Sequence, residues 1–230
     1  MSTLALRLAG SQSYATSSFT VKPTEGVPTR SAILGLLAGA LGQPRNNLPD
    51  WFTELDVWVR VDAPGTVTLD FHTINPPTEK VAEARTRLKK WTQNNAKATA
   101  SYTVPRGDGG KWESKGKVNP MITQRAYLAG AEFIVTISHP DDERVAELGA
   151  AVRNPKFMLF LGRKGFAPAF PFALGVHDGE PEALLAALPT GAGGDLPVYQ
   201  IVGDRNYPHA HVTPEHLTST IDLWNGWKTA

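Results

Sequence analysis

No cysteine occurs among the 230 residues, which removes disulfides and thiolate metal sites together and fits a reducing compartment, so a cytoplasmic location is the expectation. Long apolar runs are missing as well. The longest, Ala32 to Gly42, spans 11 residues, whereas a membrane crossing needs about 20, and no membrane association is expected. Met1 to Gly10 holds one arginine and lacks the basic-then-apolar pattern of a secretory leader. Low-complexity tracts and solenoid-period repeats are absent. Glycines at 10, 35, 42, 162 and 165 suggest phosphate loops, but neither G-x-x-x-x-G-K-S/T nor G-x-G-x-x-G stands between a strand and a helix. A nucleotide-binding enzyme of those kinds is thereby set aside.

Net charge is also small, +1, yet charge is unevenly placed. From Glu79 to Arg125 eleven basic residues face four acidic ones, a local charge of +7, and the rest of the chain carries −6. Trp91, Tyr102 and Trp112 interleave with those cations. Stacking rings among phosphate-binding cations suit single-stranded RNA, at about 1–3 kcal/mol per stacked base. The same rings could instead pin the segment to itself or to a neighbour. Helical spacing from Glu79 to Gln93, through Val81, Ala84, Leu88 and Trp91, points to some helix within it.

Elsewhere the periodicities are clearer. Leu4, Leu6 and Leu8 alternate with Ala5 and Arg7 as a half-buried strand. Ala32 to Leu41 reads as a helix, N-capped by Thr29 or Ser31 and stopped by Gly42. Gly35 and Gly39 make that helix thin, which suits close packing against a sheet or another backbone. Leu55 to Val61, Val67 to Ile74 and Ala126 to Ser138 read as strands. Asp141-Asp142-Glu143 opens a second helix that ends at Asn154-Pro155, and Phe157 to Leu161 reads as a short strand. The resulting order, β-α-β-β-insertion-β-α-β, is that of an α+β, ferredoxin-like (RRM-like) domain. Its insertion, residues 75–124, is too long for a passive connection. Residues 177–230, rich in Pro and Gly, read as an irregular C-terminal wrap on one domain that spans 1–230.

Few residues offer chemistry. The N-terminus of the first helix, with Thr29, Arg30 and Ser31, can hold a phosphate through free N–H groups and a planar cation, or can be an ordinary cap. His72, at the root of the insertion, can stack on a base or cap a strand. His209, His211 and His216 with Asp204 imitate a metal cluster, but Pro208 and Pro214 argue for a loop, where imidazoles two apart do not share a face. No metal or other cofactor is expected.

Four blocks, in order, then carry a resemblance. They are Leu6 to Gly10 followed by Gln12-Ser13-Tyr14; Pro28 to Gly42; Phe71 to Ile74 with Ile122 to Phe133; and Asn154-Pro155-Lys156 with Leu161 to Lys164. Over roughly Leu4 to Phe172 the chain resembles the CasD-type subunit of type I-E CRISPR Cascade, within the RAMP superfamily. That resemblance implies an RRM-like body with a projecting basic thumb in the place of the insertion. It implies a cytoplasmic, non-catalytic subunit that grips the 5′ handle of crRNA. The implied neighbours are the Cascade backbone subunit and the large PAM-recognising subunit, with target DNA reached only through the complex. Carried over by position, the RNA contacts are Thr29, Arg30, Ser31, His72, Arg125, Gly162, Arg163 and Lys164. In the thumb, Arg106, Lys111, Lys115 and Lys117 rest on charge alone.

Two positions depart from the pattern: Ala15 and Thr16 replace a glycine, and Lys164 replaces an arginine, keeping charge but losing bidentate geometry. An alternative is a metal-independent endoribonuclease that processes precursor crRNA, as relatives in another subtype do with a tyrosine and a Lys-His pair. This chain has no Lys-His dipeptide and no tyrosine in its first helix.

Overall fold

The computed structural model describes residues 1–14, 21–45, 47–74 and 121–229. The chain divides into two compact units, one of Met1–Asp70 with Arg125–Ala230, the other of Phe71–Gln124. Residues 75–120, and with them most of the expected thumb, lie outside the described residues. So do Arg106, Lys111, Lys115 and Lys117, the rings of Trp91, Tyr102 and Trp112, and Ala15 and Thr16.

The described residues form an antiparallel sheet and four helices. In chain order they are β1 (Ser2–Gln12), β2 (Val21–Lys22), α1 (Arg30–Leu41), β3 (Asp56–Ala63), β4 (Thr66–Ile74), β5 (Met121–Ser138), α2 (Asp142–Arg153), β6 (Ala173–Asp178), α3 (Pro181–Ala187), β7 (Leu196–Val202), β8 (Arg205–Val212) and α4 (Thr220–Thr229). A 3-10 turn, Asp50–Glu54, precedes β3. The strands run β6-β1-β5-β3-β7-β8, with β2 and β4 also paired to β5. The inner four, β6-β1-β5-β3, are mutually antiparallel and carry α1 and α2 as their two crossovers. This is the ferredoxin-like arrangement, enlarged by the β7–β8 hairpin added to the β3 edge.

Alternation explains the first core layer. Leu4, Leu6 and Leu8 from β1, Val57, Val59 and Val61 from β3, and Phe133, Val135 and Ile137 from β5 face one side, where α1 and α2 cover them with Ile33, Leu37, Val145 and Leu148. Thr29 caps α1 by accepting from the Ala32 N–H, and Gly42 ends it with φ +77°, donating to the carbonyls of Ala38 and Gly39. Asp141 caps α2 in the same way, through the Glu143 N–H. Gly35 does not serve packing as its sequence position suggests; it is exposed, with nothing within 4 Å of where a Cβ would lie. At Gly39 the nearest such atom is Leu159 Cδ2, 3.7 Å away.

The opposite face is covered too, which corrects the reading of residues 177–230 as irregular. Ala5, Trp58, Ile134 and Leu174 point away from α1 and α2 and pack with Leu184, Leu185 and Leu188 at α3, Val198 on β7 and Trp227 on α4. Arg60 is buried with them. Its guanidinium binds Asp62 in bidentate fashion, at 2.7 and 2.8 Å. It also donates to the carbonyls at the end of α3: Leu185, Leu188 at 2.6 Å and Pro189 at 3.4 Å. Thr190 Oγ1 donates to Asp62 at 2.6 Å. A cation among the orphan carbonyls of a helix C-terminus answers both hydrogen bonding and dipole.

Phe157 to Leu161 forms no strand. Lys156 and Phe157 donate their N–H groups to the carbonyls of Ala40 and Gly39 at the end of α1, at 3.0 and 3.2 Å, so the backbone that a sheet would need is already occupied. No helix among the described residues is long and apolar enough to cross a membrane.

Candidate nucleic-acid interface

Three segments distant in sequence meet past the end of β1: Gln12 to Tyr14, Arg125 to Tyr127 of β5, and the 161–166 loop. The β1–β5 register shifts between Gly10 and Gln12, and the buried Gln12 amide fills the irregularity by donating to the carbonyls of Leu8 and Ala131 at 2.8 and 2.9 Å. Tyr14 donates its hydroxyl to Gln12 Oε1. Burial pushes the Tyr14 phenol far above its ordinary value. Next to this pair, Ser13 donates its N–H to the Leu161 carbonyl at 3.1 Å and its hydroxyl to the Ala126 carbonyl at 3.0 Å.

That contact shapes the loop. Gly162 sits at φ +83°, and a Cβ there would lie 1.7 Å from the Ser13 carbonyl oxygen, so only glycine fits. Leu161 donates to the Phe166 carbonyl at 2.7 Å and Phe166 to the Arg163 carbonyl at 2.9 Å, which closes a turn with exposed Lys164 and Gly165 at its tip. Arg163 is held from several sides. Nη2 donates to the Ala126 carbonyl at 3.1 Å and Nη1 to Asp70 Oδ2 at 3.1 Å. The guanidinium lies 5.4 Å from the Phe166 ring centre and 6.0 Å from that of Tyr127. Desolvation lowers its pKa from the ordinary value, Asp70 opposes, and Arg125 adds to the lowering. Arg125 directly precedes Ala126, whose carbonyl Arg163 binds, and the buried Arg125 Nε has no hydrogen-bond partner among the described residues.

Of the sequence-derived candidates, the structure brings Arg125, Gly162, Arg163 and Lys164 together. Ser13, Asp70, Tyr127 and Phe166 join them without having been singled out as binding residues; the polar run after Gly10 was the available signal. His72 lies in β4, and its side chain falls outside the described part.

The α1 N-terminus forms a separate place. Thr29 is the cap, and exposed Ser31 places its Oγ 3.3 Å from the Thr29 hydroxyl. A shallow cleft there is lined by Glu25, Thr29, Asp204, Arg205, Asn206 and Tyr207. Two carboxylates on its wall disfavour a phosphate. Arg30 is engaged by backbone carbonyls. It donates to the carbonyls of Leu55 at 2.8 Å, Phe52 at 3.2 Å, Thr53 at 3.3 Å and Ile201 at 3.3 Å. Burial lowers its pKa from the ordinary value, Asp56 acting against the shift. Arg30→Ala is expected to cost about 2 kcal/mol in chemical denaturation, because charged donors leave four carbonyls. The salt dependence of RNA binding should stay unchanged. A flatter salt slope with undiminished stability would return Arg30 to the RNA.

The histidine-rich segment is a strand, not the expected loop. His209 and His211 lie on β8, where the β7 pairing shifts between Val198 and Tyr199. His209 is 3.1 Å from Glu182 Oε1 and meets the Trp58 ring edge-on. His216 forms an isolated bridge with Thr190. Among the described residues no three His, Cys, Asp or Glu side chains group in a way that could hold a metal ion.

Against known proteins, the family model Cas_Cas5d, described as "CRISPR-associated protein (Cas_Cas5)", matches residues 3–217. A solved structure described as "CRISPR RNA-guided surveillance complex" is 25% identical, with 99% of this chain and 98% of that chain covered and a TM-score of 0.68. Another, described as "Crystal structure of Cas protein", is 22% identical over 94% of this chain and 100% of that chain, with a TM-score of 0.63, and shares the fold. No curated protein matches. The family model runs from within β1 to beyond β8, through both core layers and the 161–166 loop, and on that ground the chain belongs to the Cas5 family of CRISPR-associated proteins.

Proposed function

We propose that this protein is a non-catalytic subunit of a CRISPR RNA-guided surveillance complex that grips the 5′ handle of crRNA, of the CasD kind in type I-E Cascade. Its neighbours are the backbone subunit and the large PAM-recognising subunit, and target DNA reaches it only through the assembly. The observation that carries this reading is the Arg125–Arg163 pair. Arg163 is anchored on the residue next to Arg125, one partly exposed carboxylate stands against it, and the Arg125 Nε has no partner among the described residues. A phosphate at that position answers both the charge and the missing acceptor. Such contacts supply sequence-independent, salt-sensitive affinity, and target sequence is left to guide pairing.

A second reading, the metal-independent endoribonuclease that processes precursor crRNA, draws support from the matching family model, whose label is that of a type I-C subunit. That chemistry needs a proton acceptor at a 2′-hydroxyl. Tyr14, the tyrosine hydrogen-bonded beside the loop, is buried with its hydroxyl engaged by Gln12, which favours gripping over cutting.

Labelled repeat-spacer RNA incubated with the purified protein, without added metal and across a salt series, separates the two. Salt-sensitive, handle-dependent binding with intact RNA is the expected result. Site-specific cleavage would replace this reading with the endoribonuclease.

A further inference from the structure

We infer that Asp70 is a built-in competitor for the anion site. It occupies Arg163 in the free protein and is displaced when a nucleic-acid phosphate binds, so it sets affinity and salt sensitivity. The inference rests on the RNA-gripping reading above.

A carboxylate beside an arginine can orient it or compete for it, and the geometry decides between these roles. Arg163 is oriented without Asp70. Its Nη2 donates to the Ala126 carbonyl at 3.1 Å, and its plane is bounded by the Phe166 and Tyr127 rings. The backbone beneath it is fixed by the turn from Arg163 to Phe166 and by Gly162 against Ser13. Asp70 takes only Nη1, through one oxygen at 3.1 Å. Its side chain is 48% exposed against 20% for Arg163, so the carboxylate can swing into water while the guanidinium cannot. With Asp70 in place, a phosphate at Arg125 and Arg163 would lie beside a like charge. With Asp70 turned out, the same phosphate meets two guanidiniums.

Exchange has a measurable signature. A pair neutralised internally contributes less to counterion release than a free arginine does, so removing Asp70 should restore the missing part. Asp70→Asn keeps shape and removes charge. In fluorescence titrations of labelled repeat-derived single-stranded RNA, it should bind about three- to tenfold more tightly at ~0.1 M salt, with the log–log salt slope steeper by about 0.7. Two variants tie the effect to Arg163. In an Arg163→Gln background, Asp70→Asn should give little further gain. Glu147→Gln, which removes one negative charge from α2, should leave affinity near the wild-type value.

Weaker or unchanged binding by Asp70→Asn would overturn the inference and mark Asp70 as an orienting or inert group. An equal gain in the Arg163→Gln background, or from Glu147→Gln, would overturn it in favour of net charge. Wild-type protein that fails to bind RNA at any salt would overturn the RNA-gripping reading, and this inference with it.

Discussion

Gly162→Ala is expected to destroy the 161–166 loop. The new Cβ would sit 1.7 Å from the Ser13 carbonyl oxygen, and both partners in that clash are backbone. No rotamer change relieves it. The φ of +83° adds about 1–2 kcal/mol of strain for any L side chain. Separating the loop from Ser13 breaks the Ser13–Leu161 hydrogen bond and withdraws Arg163 from the Ala126 carbonyl. The combined loss should exceed about 4 kcal/mol if the loop is forced to stay, a size seen only when a specific mechanism fails. The chain will more readily release the loop and keep the core, so RNA affinity should fall by at least tenfold while the denaturation midpoint falls less. Wild-type affinity and midpoint in this variant would show that the contact does not exist in solution.

The second large effect belongs to Arg60 and Asp62. Asp62→Ala leaves a guanidinium with 0% exposure without its counter-charge, and a buried pair broken on one side costs about 3–5 kcal/mol. Arg60→Met strips the guanidinium donors from the Leu185 and Leu188 carbonyls, leaves Pro189 to Trp227 Nε1, and leaves the Asp62 carboxylate with Thr190. In both variants limited proteolysis should cut first beyond Asp178, because the side chain that joins β3 to the end of α3 is gone. The double variant Arg60→Met with Asp62→Leu should be less destabilised than either single one, since two buried charges disappear together. Additive losses in the double variant would contradict that account.

The second effect arises at positions whose significance the sequence hid, for physical reasons. Arg60 alternates with Val59 and Val61 and reads as the solvent side of a strand, yet a second layer covers that side. Continuous burial in Phe133-Ile134-Val135 was the legible sign of that layer, because a strand with both faces covered loses its alternation. The covering helices were harder to see. α3 has seven residues and opens on Pro181, a position that favours proline, but Pro189, Gly191, Gly193 and Gly194 around it signal loop. The caps at Thr29, Gly42, Asp141 and Asn154 were readable because each depends on one local residue. A cation next to a helix N-terminus has the same sequence signature whether it meets phosphate or, as Arg30 does, carbonyls 22 to 25 and 171 residues away. Arg125 and Arg163 were found through family resemblance, whereas Asp70 belongs to no motif and became visible only when β4 and the loop were placed side by side.

A four-stranded sheet of this kind can offer its open face as a table on which bases lie flat. Here Trp58, Ile134 and Leu174 face Leu185 and Trp227 instead of solvent, so that table is already set with the protein's own side chains. Nucleic acid held by the described residues is therefore kept off that face and left to surfaces such as the rim of loop tips and strand ends. A rim touches a polymer at points rather than along its length. On the function proposed above, discrimination between one sequence and another would belong to the assembly, and this fold would supply an address for the strand's end.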